Sequence, residues 1–288
     1  MMNQNSGHPL GGWQTICSYY PDDVETERDR GGDMRKIMVA IFFVLTFLCS
    51  CSDFNNAIKP KSDNAFKLKP DDAIVHSNKG IAYANRGQYQ SAIGEYNEAI
   101  CLKPDLAEVY SNRGIAYARL GQYQRAIDDY DEAVRLQPDL GEIYSNRGIA
   151  YAKLGQYQRA IDDYDEAVRL QPDLAEAYNN KGNAYNDLHQ YQNAIDEFTK
   201  AISLKPKDAK LYYNRGIAYD KFGKLQRAVE NFNEAVRLKP DEALYYTNRA
   251  GAYFMQGNKN LFCRDVQKAC ALGDCKLSEM AKGKRYCP

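Results

Sequence analysis

RGIAYARLGQYQRAIDDYDEAVRLQPDL runs from Arg113 to Leu140, and RGIAYAKLGQYQRAIDDYDEAVRLQPDL from Arg147 to Leu174. The two differ only at Arg119 against Lys153 and stand 34 residues apart. Self-similarity at a fixed period of this length marks a chain built from one supersecondary unit, stacked many times. Counting Ala73 as position 1, a small residue recurs at position 8, at Gly80, Gly114, Gly148, Gly182, Gly216 and Ala250. A tyrosine follows three residues later each time (Tyr83, Tyr117, Tyr151, Tyr185, Tyr219, Tyr253). The second half of each unit carries alanine at position 20 (Ala92, Ala126, Ala160, Ala194, Ala228) and an aromatic at position 24 (Tyr96, Tyr130, Tyr164, Phe198, Phe232). Proline closes the units at Pro104, Pro138, Pro172, Pro206 and Pro240.

Each feature has a physical reason. Small residues at positions 8 and 20 let two antiparallel helices approach closely, while the aromatics fill the space beside the crossing. Glycine at the turn, as at Gly121 and Gly155, can take the left-handed conformation that ends the first helix. Proline cannot continue the second helix. One helix pair cannot bury both its faces, so stability comes from stacking on neighbours.

This pattern resembles the tetratricopeptide repeat, over residues 73–276 in six units (73–106, 107–140, 141–174, 175–208, 209–242 and 243–276). The resemblance implies an all-α, right-handed solenoid with a concave groove, acting as a non-catalytic scaffold for proteins or extended peptides. The sixth unit departs: Phe262, Val266 and Asp274 stand where small, aromatic and proline residues are expected. That is consistent with a terminal cap, completed by a cysteine-containing segment at 277–288.

Positions 2, 5, 6, 9, 12 and 13 share a stripe of the first helix, and in this family that stripe lines the groove. Position 6 is asparagine in every unit: Asn78, Asn112, Asn146, Asn180, Asn214 and Asn248. An amide both donates and accepts, so such a row can pair with an extended peptide backbone whatever its side chains. It can equally tie adjacent repeats together. Around it, Ser111, Ser145, Ile115, Ile149, Ala118 and Ala152 make a shallow uncharged lining. Toward the C-terminal end Asn183, Asn186, Asp187, Tyr213, Asp220, Phe254 and Met255 replace the small residues. Aromatic and methionine side chains offer adaptable contact area, so Asn183, Tyr213 and Phe254 are the expected selective subsite. Position 7 is basic throughout (Lys79, Arg113, Arg147, Lys181, Arg215, Arg249). The stems are expected to cover aromatic packing while the heads reach solvent or a neighbouring acid, the other reading being a basic ladder for acidic ligands.

Other signals exclude function classes. With 38 basic and 38 acidic residues the chain offers no electrostatic case for nucleic acid. No phosphate loop, dinucleotide fingerprint, nucleophile elbow or zinc-protease motif occurs, so neither catalysis, a cofactor nor a small-molecule substrate is expected. Asp128-Asp129-Tyr130-Asp131-Glu132 lies on a helix, not in a calcium-type loop, and its acids suit the helix dipole. No metal site is expected.

Four cysteines, Cys263, Cys270, Cys275 and Cys287, crowd the C-terminus. They permit three pairings, and spacing alone selects none. If helices flank Gly273, antiparallel geometry favours Cys270 with Cys275 and Cys263 with Cys287. Disulfides are preferred to zinc, because the C-x6-C-x4-C-x11-C spacing lacks a close zinc-binding pair.

MRKIMVAIFFVLTFLCSCSD, starting at Met34, has a basic leader and a short apolar run. This suits a signal peptide and falls short of the roughly 20 residues a spanning helix needs. Leu48-Cys49-Ser50-Cys51 resembles the lipobox of bacterial lipoproteins, which makes Cys51 the expected acylated residue, with Met34 the expected true start. The expected organisation is a polar leader (1–33), a lipoprotein-type signal (34–50), a tether (51–72) and the repeat array. The resemblance implies a lipid anchor in the bacterial envelope, at the outer membrane facing the periplasm. The alternative is a cytoplasmic co-chaperone or adaptor.

Overall fold

The computed structural model describes residues 70–283 together with 286 and 287. The leader, the signal-like segment, the tether up to residue 69 and Cys51 lie outside the described residues. By contacts the chain divides into Met1–Ala73 and Ile74–Pro288, and the helical array is the second unit.

The described residues contain thirteen helices and no strand. First helices of the repeats are α1 (Pro70–Asn85), α3 (Ala107–Arg119), α5 (Gly141–Lys153), α7 (Ala175–Asp187), α9 (Ala209–Lys221) and α11 (Ala243–Met255). Second helices are α2 (Tyr89–Leu102), α4 (Tyr123–Leu136), α6 (Tyr157–Leu170), α8 (Tyr191–Leu204), α10 (Leu225–Leu238) and α12 (Lys259–Ala271), and α13 (Lys276–Gly283) closes the array. Consecutive helices pack on one another, forming a solenoid of helix pairs. From α3 to α11 each first helix also touches the first helix of the next repeat, whereas the second helices lack a comparable row of mutual contacts. The first helices are therefore drawn together and the second helices splayed, which puts the first-helix side on the inside of the curve.

The turn between paired helices follows one design. In the second repeat Gly121 takes φ +76°, its amide donates to Ala118 O at 3.0 Å, and the Gln122 amide reaches back to Tyr117 O at 2.9 Å. This double closure satisfies carbonyls left open at the helix end. In the fourth repeat His189 occupies the same place, at φ 59°, with the equivalent bonds to Asn186 O and Tyr185 O. A side chain in that region carries a cost of roughly 1–2 kcal/mol, partly offset in glycine by its freer unfolded chain. His189→Gly is therefore expected to stabilise the protein by about 0.5–1 kcal/mol, despite losing the 2.8 Å contact of His189 Nδ1 with the Tyr191 hydroxyl. Thermal unfolding of the variant checks this.

The core explains position 8. A Cβ built on Gly148 would lie 2.7 Å from Cε1 of Tyr164, and one on Gly182 would lie 2.7 Å from Cε1 of Phe198. The aromatic ring at position 24 thus occupies the space that glycine leaves open. Tyr130, Tyr164, Phe198 and Phe232 are at most 1% exposed. The sixth repeat solves the same problem differently: Ala250 stands at position 8 and the smaller Val266 at position 24, both buried. Phe262, Val266, Leu277 and Ala281 then pack α13 over the exposed end of the stack.

Candidate functional site

All six position-6 asparagines lie on first helices, yet the row is not uniform. Asn214 Nδ2 donates to Asn179 Oδ1 at 2.8 Å. Asn248 Nδ2 donates to the Tyr213 hydroxyl at 3.1 Å and to Leu244 O at 2.9 Å. These two amides are held by the position-5 side chain of the preceding repeat. Where that residue is serine, as at Ser77, Ser111 and Ser145, no such bond forms to Asn112, Asn146 or Asn180. Among the described residues Asn112 and Asn146 make no side-chain hydrogen bond, and Asn180 accepts only a long 3.4 Å contact from Asn179. Asn112, Asn146 and Asn180 are half-buried, and Asn78 is exposed. Among the described residues the four amides toward the N-terminal end are therefore left largely free, and the last two are committed to holding repeats together.

The same division applies to the aromatic end. Tyr213 stacks against Tyr245 with centroids 5.0 Å apart and lies 6.0 Å from Phe232, so most of its ring serves packing. Phe254 touches Phe262 and Tyr286 at 5.3 and 5.4 Å but remains 45% exposed, beside Met255 at 68%. Asn183 is half-buried without a side-chain bond among the described residues, while Asn186 is buried with its Oδ1 unpartnered. The side chains left to present at this end are Asn183, Phe254 and Met255 rather than Tyr213.

The position-7 cations do not form an open ladder. Arg113 donates through Nε and Nη2 to Asp129 at 2.8 and 2.6 Å, and through Nη1 to Asn97 of the preceding repeat at 2.6 Å. Arg147 grips Asp163 at 2.9 and 2.7 Å and Asp131 of the preceding repeat at 2.6 Å. Lys181 contacts Glu197 at 3.2 Å and also reaches Asp165, and Arg249 holds Asp265 at 2.6 and 2.9 Å and Asn233 at 2.8 Å. Each of these four cations thus clamps its own second helix to the previous one, and the guanidinium heads of Arg113, Arg147 and Arg249 also lie near the rings of Tyr110, Tyr144 and Tyr246, with Cζ 5.6, 5.4 and 5.3 Å from the centroids. Burial alone would pull the Arg147 guanidinium down, but the bonds and charges of Asp163 and Asp131 outweigh it and raise it above the usual range. In the sequence, Asp129 reads as a dipole-suiting acid. The signal that reveals its role, and that of Asp163, is the constant 16-residue offset from each cation.

At the cap, the sulfurs of Cys263 and Cys287 are bonded, with Cα atoms 5.5 Å apart, and so are those of Cys270 and Cys275, at 4.0 Å. The first pair links α12 to the last described residues, and the second spans the turn before α13.

A sequence model described as tetratricopeptide repeat matches residues 105–173, another matches 209–242, and one described as TPR repeat matches 82–121 and 182–223. The chain is a tetratricopeptide repeat protein. Among solved structures, a MamA protein aligns with TM-score 0.56 and 26% identity, covering 62% of this chain and 97% of its own. MamA from Desulfovibrio magneticus RS-1, residue 41 to the end, aligns with TM-score 0.53 and 27% identity, covering 60% and 96%. YrrB, described as a TPR protein with an unusual peptide-binding site, aligns with TM-score 0.55 and 22% identity, covering 65% and 97%. A comparison with curated proteins returned no match. As in the family at large, the tetratricopeptide array is a surface for protein interaction.

Proposed function

We propose that this tetratricopeptide protein is a non-catalytic scaffold that holds an extended peptide segment along its first-helix face. The observation that carries this reading is the uncommitted amide run Asn112, Asn146 and Asn180 on the inside of the curve, bordered by Ser111, Ser145, Ile115, Ile149, Ala118 and Ala152, with exposed Glu108, Glu142, Arg119 and Lys153 on the same stripe. An extended backbone presents alternating N–H and C=O groups, which is the pattern such amides satisfy. Phe254 and Met255 then supply side-chain selectivity at the C-terminal end. YrrB, described as having an unusual peptide-binding site, indicates that this fold can carry one.

Each amide lost should remove about 0.5–1.5 kcal/mol of binding. Asn112, Asn146 and Asn180 together changed to alanine should therefore weaken a peptide selected from a random library by roughly two orders of magnitude. Helicity should stay unchanged. Calorimetric titration reads the affinity and circular dichroism the fold. Affinity equal to the parent protein would refute the groove reading, and Asn214→Ala serves as the contrast, because that amide already belongs to the protein.

The proposal extends to location: Cys51 carries a lipid anchor in the bacterial envelope, the array faces the periplasm and aids envelope assembly, and the terminal cysteines are oxidised there. Mass spectrometry of the native protein tests these points together. An acylated Cys51 as first residue with both disulfides intact is expected, whereas an unprocessed N-terminus with free thiols would make the protein a cytoplasmic adaptor.

A further inference from the structure

The fifth repeat breaks the clamp. In the second, third, fourth and sixth repeats the position-7 cation meets a carboxylate of its own second helix, from Asp129, Asp163, Glu197 or Asp265. Arg215 meets none. Its Nε donates to Asn231 Oδ1 at 2.8 Å and its Nη1 to Thr199 Oγ1 at 3.0 Å. The Asn231 amide is fixed in that orientation, because its Nδ2 donates to Arg227 O at 2.8 Å. Both partners are neutral, and Nη2 has no partner among the described residues. Burial draws the Arg215 guanidinium below its usual range, opposed only by Tyr219 and Tyr212.

This guanidinium forms part of the wall of a cleft of about 560 Å³ between α8, α9 and α10. Tyr212 and Tyr219 stand beside it, and Arg215 Cζ lies 5.7 Å from the Tyr212 ring centroid. Lys224 adds a second cation, facing the Phe222 ring at 4.4 Å and no carboxylate among the described residues. The two acids at the cleft are each held by an arginine one turn away, Glu230 by Arg227 at 3.1 Å and Glu234 by Arg237 at 2.9 Å. Arg215 and Lys224 are left as the unneutralised charges. A half-buried cation short of a counter-charge favours an incoming anion strongly, since its desolvation is already complete in part.

We propose that this cleft receives a carboxylate from an acidic side chain of a protein partner, facing Arg215 and Lys224 and supplying the negative charge that the position-23 acid supplies in the sibling repeats. Several cleft residues belong to the second helices, so the site is separate from the asparagine row and goes beyond the groove reading. A charge-assisted pair of this kind is worth at least about tenfold in affinity.

The test uses the full chain and a fluorescein-labelled hexaglutamate peptide, read by anisotropy at low salt. Asn231→Asp supplies the missing acid from within, in the arrangement four other repeats already fold with. It is expected to weaken peptide binding about tenfold or more while leaving thermal stability equal or higher, and Arg215→Gln should weaken binding similarly. Arg159→Gln, which removes an exposed cation outside the cleft, should bind hexaglutamate as the parent does. Inorganic phosphate is the competing arm: displacement of the peptide by millimolar phosphate with an equal Asn231→Asp effect would assign the cleft to small anions and overturn the peptide assignment. No peptide binding by the parent, unchanged binding by Asn231→Asp, or an equal loss of binding in Arg159→Gln would each overturn the proposal.

Discussion

Tyr164→Ala is expected to cost about 3–5 kcal/mol, the range seen when a fully buried aromatic is cut back to a methyl group. The ring is 1% exposed and packs with Ala160, Ile161 and Ala184, with Ile149, Tyr151 and Tyr185 around them. These residues come from α5, α6 and α7, so one ring joins the third repeat internally and to the fourth. The space it leaves cannot be refilled from the other side, because Gly148 faces it without a side chain. Stability in a stacked array is a sum of repeat and nearest-neighbour terms. A defect at the centre should therefore weaken coupling between the halves as well as total stability, splitting the urea transition in two. Val266→Ala, the corresponding change at the terminal repeat, removes less volume and should only loosen the cap. Loss of less than about 1 kcal/mol in Tyr164→Ala, with a single sharp transition, would mean the ring is not what holds the centre.

The fold was legible because every unit faces one packing problem and solves it with the same residues. Glycine at position 8, an aromatic at position 24 and proline at the close are each forced by geometry, and repetition separates them from chance. Even the departure at Val266 is intelligible, since Ala250 takes up volume that glycine would have left. The site was only partly legible. The asparagine row is visible at once, but whether each amide is free depends on the position-5 residue one repeat earlier, serine at Ser111 and Ser145 against Asn179 and Tyr213. That choice concerns the reach of two side chains across a repeat boundary, which helical periodicity does not describe. Position 7 shows the same limit. The cations were evident, whereas their partners lie on other helices, 16 residues on in the same unit and 16 back in the previous one. Once that offset is known, Asn231 stands out in the sequence as the unit that lacks its acid.

The clamp itself yields the second large effect. Asp265→Ala is expected to destabilise the protein by about 3–5 kcal/mol, because removing one partner of a buried pair strands the other charge. The side chains of Arg249 and Asp265 are 9% and 2% exposed, the most enclosed of these pairs in the described residues. Without Asp265, Arg249 keeps only the neutral Asn233 oxygen at 2.8 Å. Asp265→Asn should cost less, since Arg215 and Asn231 show that an amide can hold one arm of the guanidinium. Arg249→Met combined with Asp265→Leu should recover most of the loss, because an apolar pair of similar volume avoids the desolvation that both charges carry. Urea unfolding of the three variants gives the ordering. Hydrogen exchange adds the location: α12 and α13 should lose protection before α3 to α6, as the defect sits in the last repeat and couples only to its neighbour. If Asp265→Ala proves as stable as the parent, the cation clamp is a surface contact and the repeats are held by their aromatic rings alone.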